Sequence, residues 1–353
     1  MSNTENLLEK IIQEKKGEEL ARLDAINIVE SLFSELLDRE RDILSRRFGL
    51  KGEKGETLEK IGRLHKLTRE RVRQIEAASI KKIKKLDKLS DVISALRQVV
   101  KELLDEHGGL IRRDYLLDIL SVISLEISGK NNSDDPAYES ARRSYRQNFD
   151  FLLSRLLADE LEISDKHNRF EPFFKDKNLD IDHLHDLADD LWQQVSVLKK
   201  TLSTEEILEL LKKSETYSRN IGRLLREKSA DIFAVFKSKV FPDKAEIINQ
   251  NKILYSLLQA IRNLERNKFG QWGLADWGEI KPKTVNDKIY LVLKNTGQPL
   301  HFTEIAAKIN EIKFDHKNAN AATVHNELIL DDRYVLVSRG TYGLKEWQMQ
   351  AVK

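Results

Sequence analysis

Between Arg69 and Gln74 the chain carries Arg69, Glu70, Arg73 and Gln74, and spacings of three and four place such residues on one face of a helix. Side chains of these types can read base edges. An Arg guanidinium pairs bidentately with guanine N7 and O6, a Gln amide pairs with adenine, and a Glu carboxylate accepts from cytosine N4. Lys81, Lys82, Lys84 and Lys85 follow and suit phosphate contacts, which position a protein without specifying sequence. From Arg63 to Lys85 there are nine Lys or Arg against two acids, Glu70 and Glu76. A polyanion senses that local surplus rather than the net charge of +2, because screening limits electrostatic reach to roughly 8–10 Å. The competing reading is a merely solvated basic face, and the elements that carry these residues decide between the two.

Those elements read as two helices in a tight crossing. Thr57 is a good N-cap for a helix covering Leu58, Ile61 and Leu64, and Thr68 caps a second that carries Val72, Ile75, Ala78, Ile80 and Ile83. Val72, Ile75 and Ile83 are expected to point inward. The link around Gly62–Leu67 is too short for antiparallel packing, so the helices must cross steeply as a helix-turn-helix over residues 57–85. The positive N-terminal end of the second helix also favours nearby phosphate. Two earlier helices are expected, Leu23–Leu37 with an apolar face and Asp38–Arg47 stopping at Phe48-Gly49, followed by the hydrophilic loop KGEKGE.

The remaining chain reads as a series of small modules. Residues 1–20 form a polar tail or leading helix. Residues 21–90 hold the helix-turn-helix. Residues 91–180 give helices at Val99–Leu104, Tyr115–Ile123 and Ser144–Leu157, a hydrophilic loop in SGKNNSDDPAYES, and two short strands in ELEISDKHNRFEPF. That order is winged-helix-like. Residues 181–282 repeat it less clearly, with a Ser203/Glu206 capping box and helices at Ser218–Glu227 and Lys252–Asn267. Residues 283–353 form the best-defined unit: a helix at 287–295, strand then helix at 299–311 with Thr303 as cap, a helix at 322–331, and a hairpin turning at Ser338–Gly340. FGQWGLADW (269–277) and TYGLKEW (341–347) echo each other as aromatic–Gly–Leu–x–x–Trp. Closing a wing over its core explains the echo; the competing reading is a nucleic-acid contact by Trp272, Trp277 or Trp347.

Composition bounds the function class. At 353 residues, 40% hydrophobic and 33% charged, with 15 Gly and 5 Pro, the chain is that of a mostly helical, multi-domain protein with charged helix faces. It contains no cysteine, so disulfides, thiol catalysis and Cys-type zinc sites are excluded. No run approaches about 18 uninterrupted apolar residues and the N-terminus lacks a signal-type apolar stretch, so a cytoplasmic, nucleoid-associated protein without membrane contact is expected. His183 and His185 lie among Asp180, Asp182 and Asp186, but i and i+2 on a helix point apart, and an exposed acidic helix start is expected in place of a metal site. His301 and His107 read as structural. No P-loop, dinucleotide fingerprint, nucleophile elbow or HExxH pattern occurs. No enzyme activity, metal or cofactor is expected.

Two segments resemble known families. LLDRERDILSRRFGL (36–50) followed by TLEKIGRLHKLTRERVRQIEAASIKKIKK (57–85) resembles region four of the primary sigma factors of bacterial RNA polymerase, over about residues 22–88. The resemblance implies recognition of the promoter −35 element in the major groove. It implies base reading by Arg69, Glu70, Arg73 and Gln74, and places Thr57, Thr68 and Arg71 at or near the phosphate backbone. It also implies a contact with the polymerase β-flap. Lys60 stands where Glu is common, and LHKLTRE replaces the usual small-residue turn. Region two of that family, which binds the polymerase core and melts the −10 element, is not expected in the residues preceding this segment, so initiation by this chain alone is not expected.

Residues 285–347, with PLHFTEIA, TVHNEL and RYVLVSRGTYGLKEW, resemble the HARE-type winged helix found in the polymerase delta subunit and in some chromatin and restriction proteins. A second contact surface through Thr323, His325, Asn326, Arg333 and Arg339 follows as an expectation, opposed by the acids Glu327, Asp331 and Asp332 on or just after the helix. The expected whole is a mostly α, multi-domain array of helix-turn-helix and winged-helix modules with short β-hairpin wings. Its expected role is a DNA-binding transcription regulator. The alternatives are an RNA polymerase accessory subunit acting by protein contact, and a DNA-processing or restriction accessory protein.

Overall fold

The computed structural model describes residues 23–130, 132, 135–224 and 245–347. The leading helix expected over residues 1–20 lies outside them, as does the end of the helix expected at 218–227. The described residues of Met1–His185 and Arg219–Ala260 form one compact unit, and those of Asp186–Ser218 and Ile261–Lys353 form a second.

In the first unit, Asp24 caps α1 (Ala25–Phe33) by accepting from the Ile26 and Asn27 backbone N–H groups. α1 is shorter than expected because the chain turns at Ser34–Leu36, leaving Leu37 68% exposed. α2 (Asp38–Phe48) stops at Gly49, whose φ of 68° is the left-handed conformation that glycine tolerates. α3 (Leu58–His65) and α4 (Arg69–Lys84) start at Thr57 and Thr68, whose hydroxyls accept from the Lys60 and Arg71 N–H groups. Ile43, Ile61 and Val72 form a small fully buried cluster that clamps α2, α3 and α4 together, with Ile75 against it. Leu64 departs from the expected apolar face and is 57% exposed.

The chain continues through α5 (Ser94–Glu106), β1 (Leu110–Arg112), α6 (Arg113–Ile127), α7 (Tyr138–Phe151), β2 (Leu161–Ser164) and β3 (Phe173–Asp176). α7 begins six residues before the expected Ser144, inside the segment read as a loop, and runs into a π-helical turn at Leu152–Leu156. The sheet order is β1-β3-β2, all antiparallel, with Phe174 between Ile111 and Ile163. Strand β1 adds to the elements expected from sequence; three residues are too few to show alternation. Helix–strand–helix–helix–hairpin with the first strand beside the last is a winged helix.

The helix-turn-helix and this winged helix share one core. Leu32, Phe33 and Leu44 lie in the same buried cluster as Leu120, Phe149 and Leu153. α7 lies against α1 and α2, and Asn148 Nδ2 donates to the Leu50 carbonyl at 2.8 Å while Ser124 Oγ donates to the Leu23 carbonyl at 2.7 Å. The third helix of the wing module is therefore spent on holding the helix-turn-helix in place.

The second unit uses the same strand order twice. After α8 (Asp182–Leu198), Leu202 bridges to Trp272, α9 (Thr204–Lys212) follows under the Ser203/Glu206 capping box, and β4 (Leu264–Arg266) pairs with β5 (Trp272–Leu274). The helix expected through Asn267 stops earlier: α12 (Lys252–Ala260), which follows α10 (Glu215–Leu224) and α11 (Ala245–Gln250), gives way to β4 after Asn263 at φ 64°. The C-terminal module runs α13 (Val285–Thr296), β6 (Leu300–His301), α14 (Phe302–Ile312), α15 (Ala321–Leu330), β7 (Tyr334–Ser338) and β8 (Thr341–Leu344), with sheet order β6-β8-β7. Leu202 against Trp272 and Leu300 against Tyr342 are equivalent pairings, so the two aromatic–Gly–Leu echoes occupy the same strand of the same design. Trp272 is 1% exposed and its Nε1 donates to Thr204 Oγ1 at 3.0 Å, which makes it a core residue. Trp277 lies half-buried against Gly273, and Trp347 packs on the C-terminal core.

Candidate nucleic-acid interface

The turn between α3 and α4 is set by backbone contact. A Cβ on Gly62 would stand 2.7 Å from the Leu67 carbonyl oxygen, so only glycine lets the chain fold this closely. The Leu67 N–H donates to the Gly62 carbonyl at 2.8 Å, and Lys66 takes the left-handed conformation at φ 55°. Arg39 braces the turn by donating to the His65 carbonyl at 2.8 Å, and His65 Nε2 meets Asp42 Oδ2 at 2.8 Å. Burial raises the Asp42 pKa, but hydrogen bonds from Arg46 and His65 outweigh it and hold the carboxyl below its ordinary value.

Val72, Ser79 and Ile83 fix α4 from inside, so its opposite face is determined. That face presents Arg69, Glu70, Arg73, Gln74, Ala77 and Lys81, all exposed. The four expected base readers thus stand together on the first two turns. Arg73 donates to both Glu70 oxygens, at 2.9 and 2.7 Å, and Arg71 Nη1 donates to Gln74 Oε1 at 3.2 Å. Arg69 reaches back to Glu59 of α3 at 3.1 Å. The Arg73 hydrogen bonds hold the Glu70 carboxyl below its ordinary value, so it stays an acceptor at neutral pH. Ala77 adds no bulk beyond a methyl group next to this cluster.

The expected backbone contacts divide. Thr57 and Thr68 are caps at the helix starts whose hydroxyl oxygens accept from the helix, leaving each O–H to donate outward. Arg71 is exposed. Lys81 and Lys85 are exposed and form no ion pair among the described residues. Lys82 lies 3.5 Å from Glu40, and Lys84 is held at 2.8 Å by Asp159, a residue just before β2. The basic run is thus partly neutralised by the protein itself, a feature of tertiary structure that spacing alone does not carry.

The second expected surface does not assemble as one site. Thr323 and Asn326 are exposed on α15, but His325 is half-buried against Phe302, with ring centroids 4.6 Å apart. Arg333 lies at the base of the hairpin rather than on the wing. It pairs with Asp331 at 2.8 Å, donates to Asn286 at 2.8 Å and covers the Tyr290 ring at 5.3 Å. Arg339 is exposed in the two-residue turn with Gly340, at the wing tip. The α14 cap also differs: His301, not Thr303, is the N-cap residue, its Nδ1 facing the Thr303 N–H at 3.4 Å. His107 is buried, with Nδ1 2.8 Å from the Leu103 carbonyl. Among the described residues no three His, Asp or Glu side chains converge as metal ligands, and His185 stacks on His167 at 5.3 Å.

A steeply crossed helix pair with an exposed polar and basic second helix, joined to winged helices, defines a DNA-binding helix-turn-helix protein of the kind that serves transcription. Residues 32–85 match the family model described as Sigma-70, region 4. Residues 283–347 match the HARE-HTH model, whose description names the ASXL and restriction endonuclease HTH domain. Neither a curated protein nor a solved structure matches the chain. Both matches coincide with the segments whose motifs carry the two resemblances, and among the described residues no helix is long and apolar enough to cross a membrane.

Proposed function

We propose that this chain is a transcription regulator that reads promoter-like, −35-type duplex DNA in the major groove through α4. The carrying observation is the exposed cluster of Arg69, Glu70, Arg73 and Gln74 on a helix whose other side is locked into a core. Arg69 and Arg73 read guanine, Gln74 adenine and Glu70 cytosine, while Thr57, Thr68, Arg71, Lys81 and Lys85 seat the backbone. Lys82 and Lys84 add to this seat once Glu40 and Asp159 release them. Such a protein works at the nucleoid, in the cytoplasm. Selection of bound sequences from a random duplex pool tests the reading: a recurrent motif rich in directly read G, A and C supports it, and an unenriched pool contradicts it.

The match to sigma region four also supports RNA polymerase, through its β-flap or core, as a second partner. Retention of polymerase by the Arg73→Ala chain, with loss of specific duplex binding, separates that contact from DNA reading.

A further inference from the structure

We propose that the outer face of α15 is a protein-docking surface for an amphipathic helix whose apolar side chains are flanked by Lys or Arg. In a winged helix this element, the last helix before the hairpin, is the one that offers a face to a partner. In the first unit its counterpart, α7, is already packed against α1 and α2. In the C-terminal module the inner side of α15 packs through Val324 and Leu328, and the outer side remains open.

The chemistry of that outer side is opposite to that of α4. The helix AATVHNELIL contains no Lys or Arg, whereas duplex binding depends on cations that displace counterions from phosphate. Its exposed stripe runs Ala322, Thr323, Asn326, Ile329 and Leu330, with Ile329 60% and Leu330 81% exposed. Single exposed aliphatics are ordinary, but here two adjacent ones close a stripe that carries no charge. The charges beside it are acidic. Glu327 lies half-buried on the same helix, and Asp332 is exposed just beyond its end, with no ion pair among the described residues. Arg333, the nearest cation in sequence, is spent on Asp331 and Asn286.

An apolar stripe rimmed by carboxylates complements an apolar helix rimmed by Lys or Arg, which seats its ridge along α15. A second copy of this chain fits less well. A two-fold contact through the same stripe would bring the Glu327 and Asp332 carboxylates of both copies together. The surface is independent of duplex reading by α4.

The test uses the full chain and a labelled synthetic 18-residue Leu/Lys amphipathic helix, with a Leu/Glu helix of the same pattern as control. The proposal expects the Leu/Lys helix to bind, the Leu/Glu helix to bind far more weakly, and the double variant I329D/L330D to lose about tenfold or more in affinity. Asp332→Lys, on the exposed rim, should weaken the same peptide several-fold, and Arg73→Ala should leave it unchanged. Peptide affinity that is the same for wild type and I329D/L330D would overturn the proposal, as would equal affinity for the Leu/Glu helix. So would loss of duplex affinity in I329D/L330D with peptide binding intact.

Discussion

Arg73 holds both carboxylate oxygens of Glu70, donating from Nη2 to Oε1 at 2.7 Å and from Nε to Oε2 at 2.9 Å. Two of the proposed base readers therefore approach DNA as one unit, with the guanidinium plane fixed by its neighbour. Arg gains specificity from the fixed geometry of its fork, so a partner that fixes the fork sharpens what it reads.

Glu70→Gln offers one acceptor where the carboxylate offers two, and it removes a negative charge from the DNA-facing side. Affinity for a scrambled duplex should rise modestly, while preference for the selected site falls by about tenfold. Parallel titrations of the two duplexes at one salt concentration check this.

Lys81 and Lys85 form no ion pair among the described residues, whereas Lys84 is held by Asp159. Removing either of the first two should reduce the slope of log K against log salt by about 0.9, the value for one phosphate contact. Lys84→Ala should reduce it less. Asp159→Asn frees Lys84 and should tighten duplex binding at low salt, with the gain fading as salt rises.

Gly62→Ala drives a methyl group to 2.7 Å from the Leu67 carbonyl oxygen, so the α3–α4 turn must open. A loss of about 1–3 kcal/mol in stability is expected from urea unfolding, the range for steric strain at a constrained backbone site. Duplex binding should fall on every sequence, because the whole of α4 is displaced. Lys66→Gly, at a position already left-handed, should be tolerated.

The Asp331 carboxyl is held well below its ordinary value, chiefly by hydrogen bonds from the Arg333 side chain, with burial opposing. A depressed carboxylate contributes stability that is complete above its unfolded pKa of about 3.9 and is lost as pH falls toward the folded value. Amide exchange in β7 and β8 should therefore accelerate below about pH 4. Asp331→Asn should cost about 1 kcal/mol at neutral pH, discounted because Arg333 is partly solvated, and should flatten that acid response.

Much of this is legible in the sequence because local signals and tertiary structure agree. Thr57, Thr68 and Gly49 mark helix ends by mechanisms that act within a few residues, and all three stand where those signals place them. The hairpin around Arg339-Gly340 follows from its alternation and its glycine. What the sequence hides is long-range. Asp159 lies 75 residues from Lys84, and no periodicity links them. Asn148 and Leu50 join α7 to the helix-turn-helix across 98 residues, so one core replaces two expected modules. Arg333 reads as a wing cation in sequence because its partners Asn286 and Tyr290 are distant in the chain.

Binding of Arg73→Ala and wild-type chains to a −35-type duplex and to a scrambled duplex of the same composition tests base reading by α4 most directly. Base reading predicts a loss of about tenfold to a hundredfold on the −35-type duplex and little change on the scrambled one. Equal loss on both duplexes would show that Arg73 serves only the phosphate backbone and would contradict it.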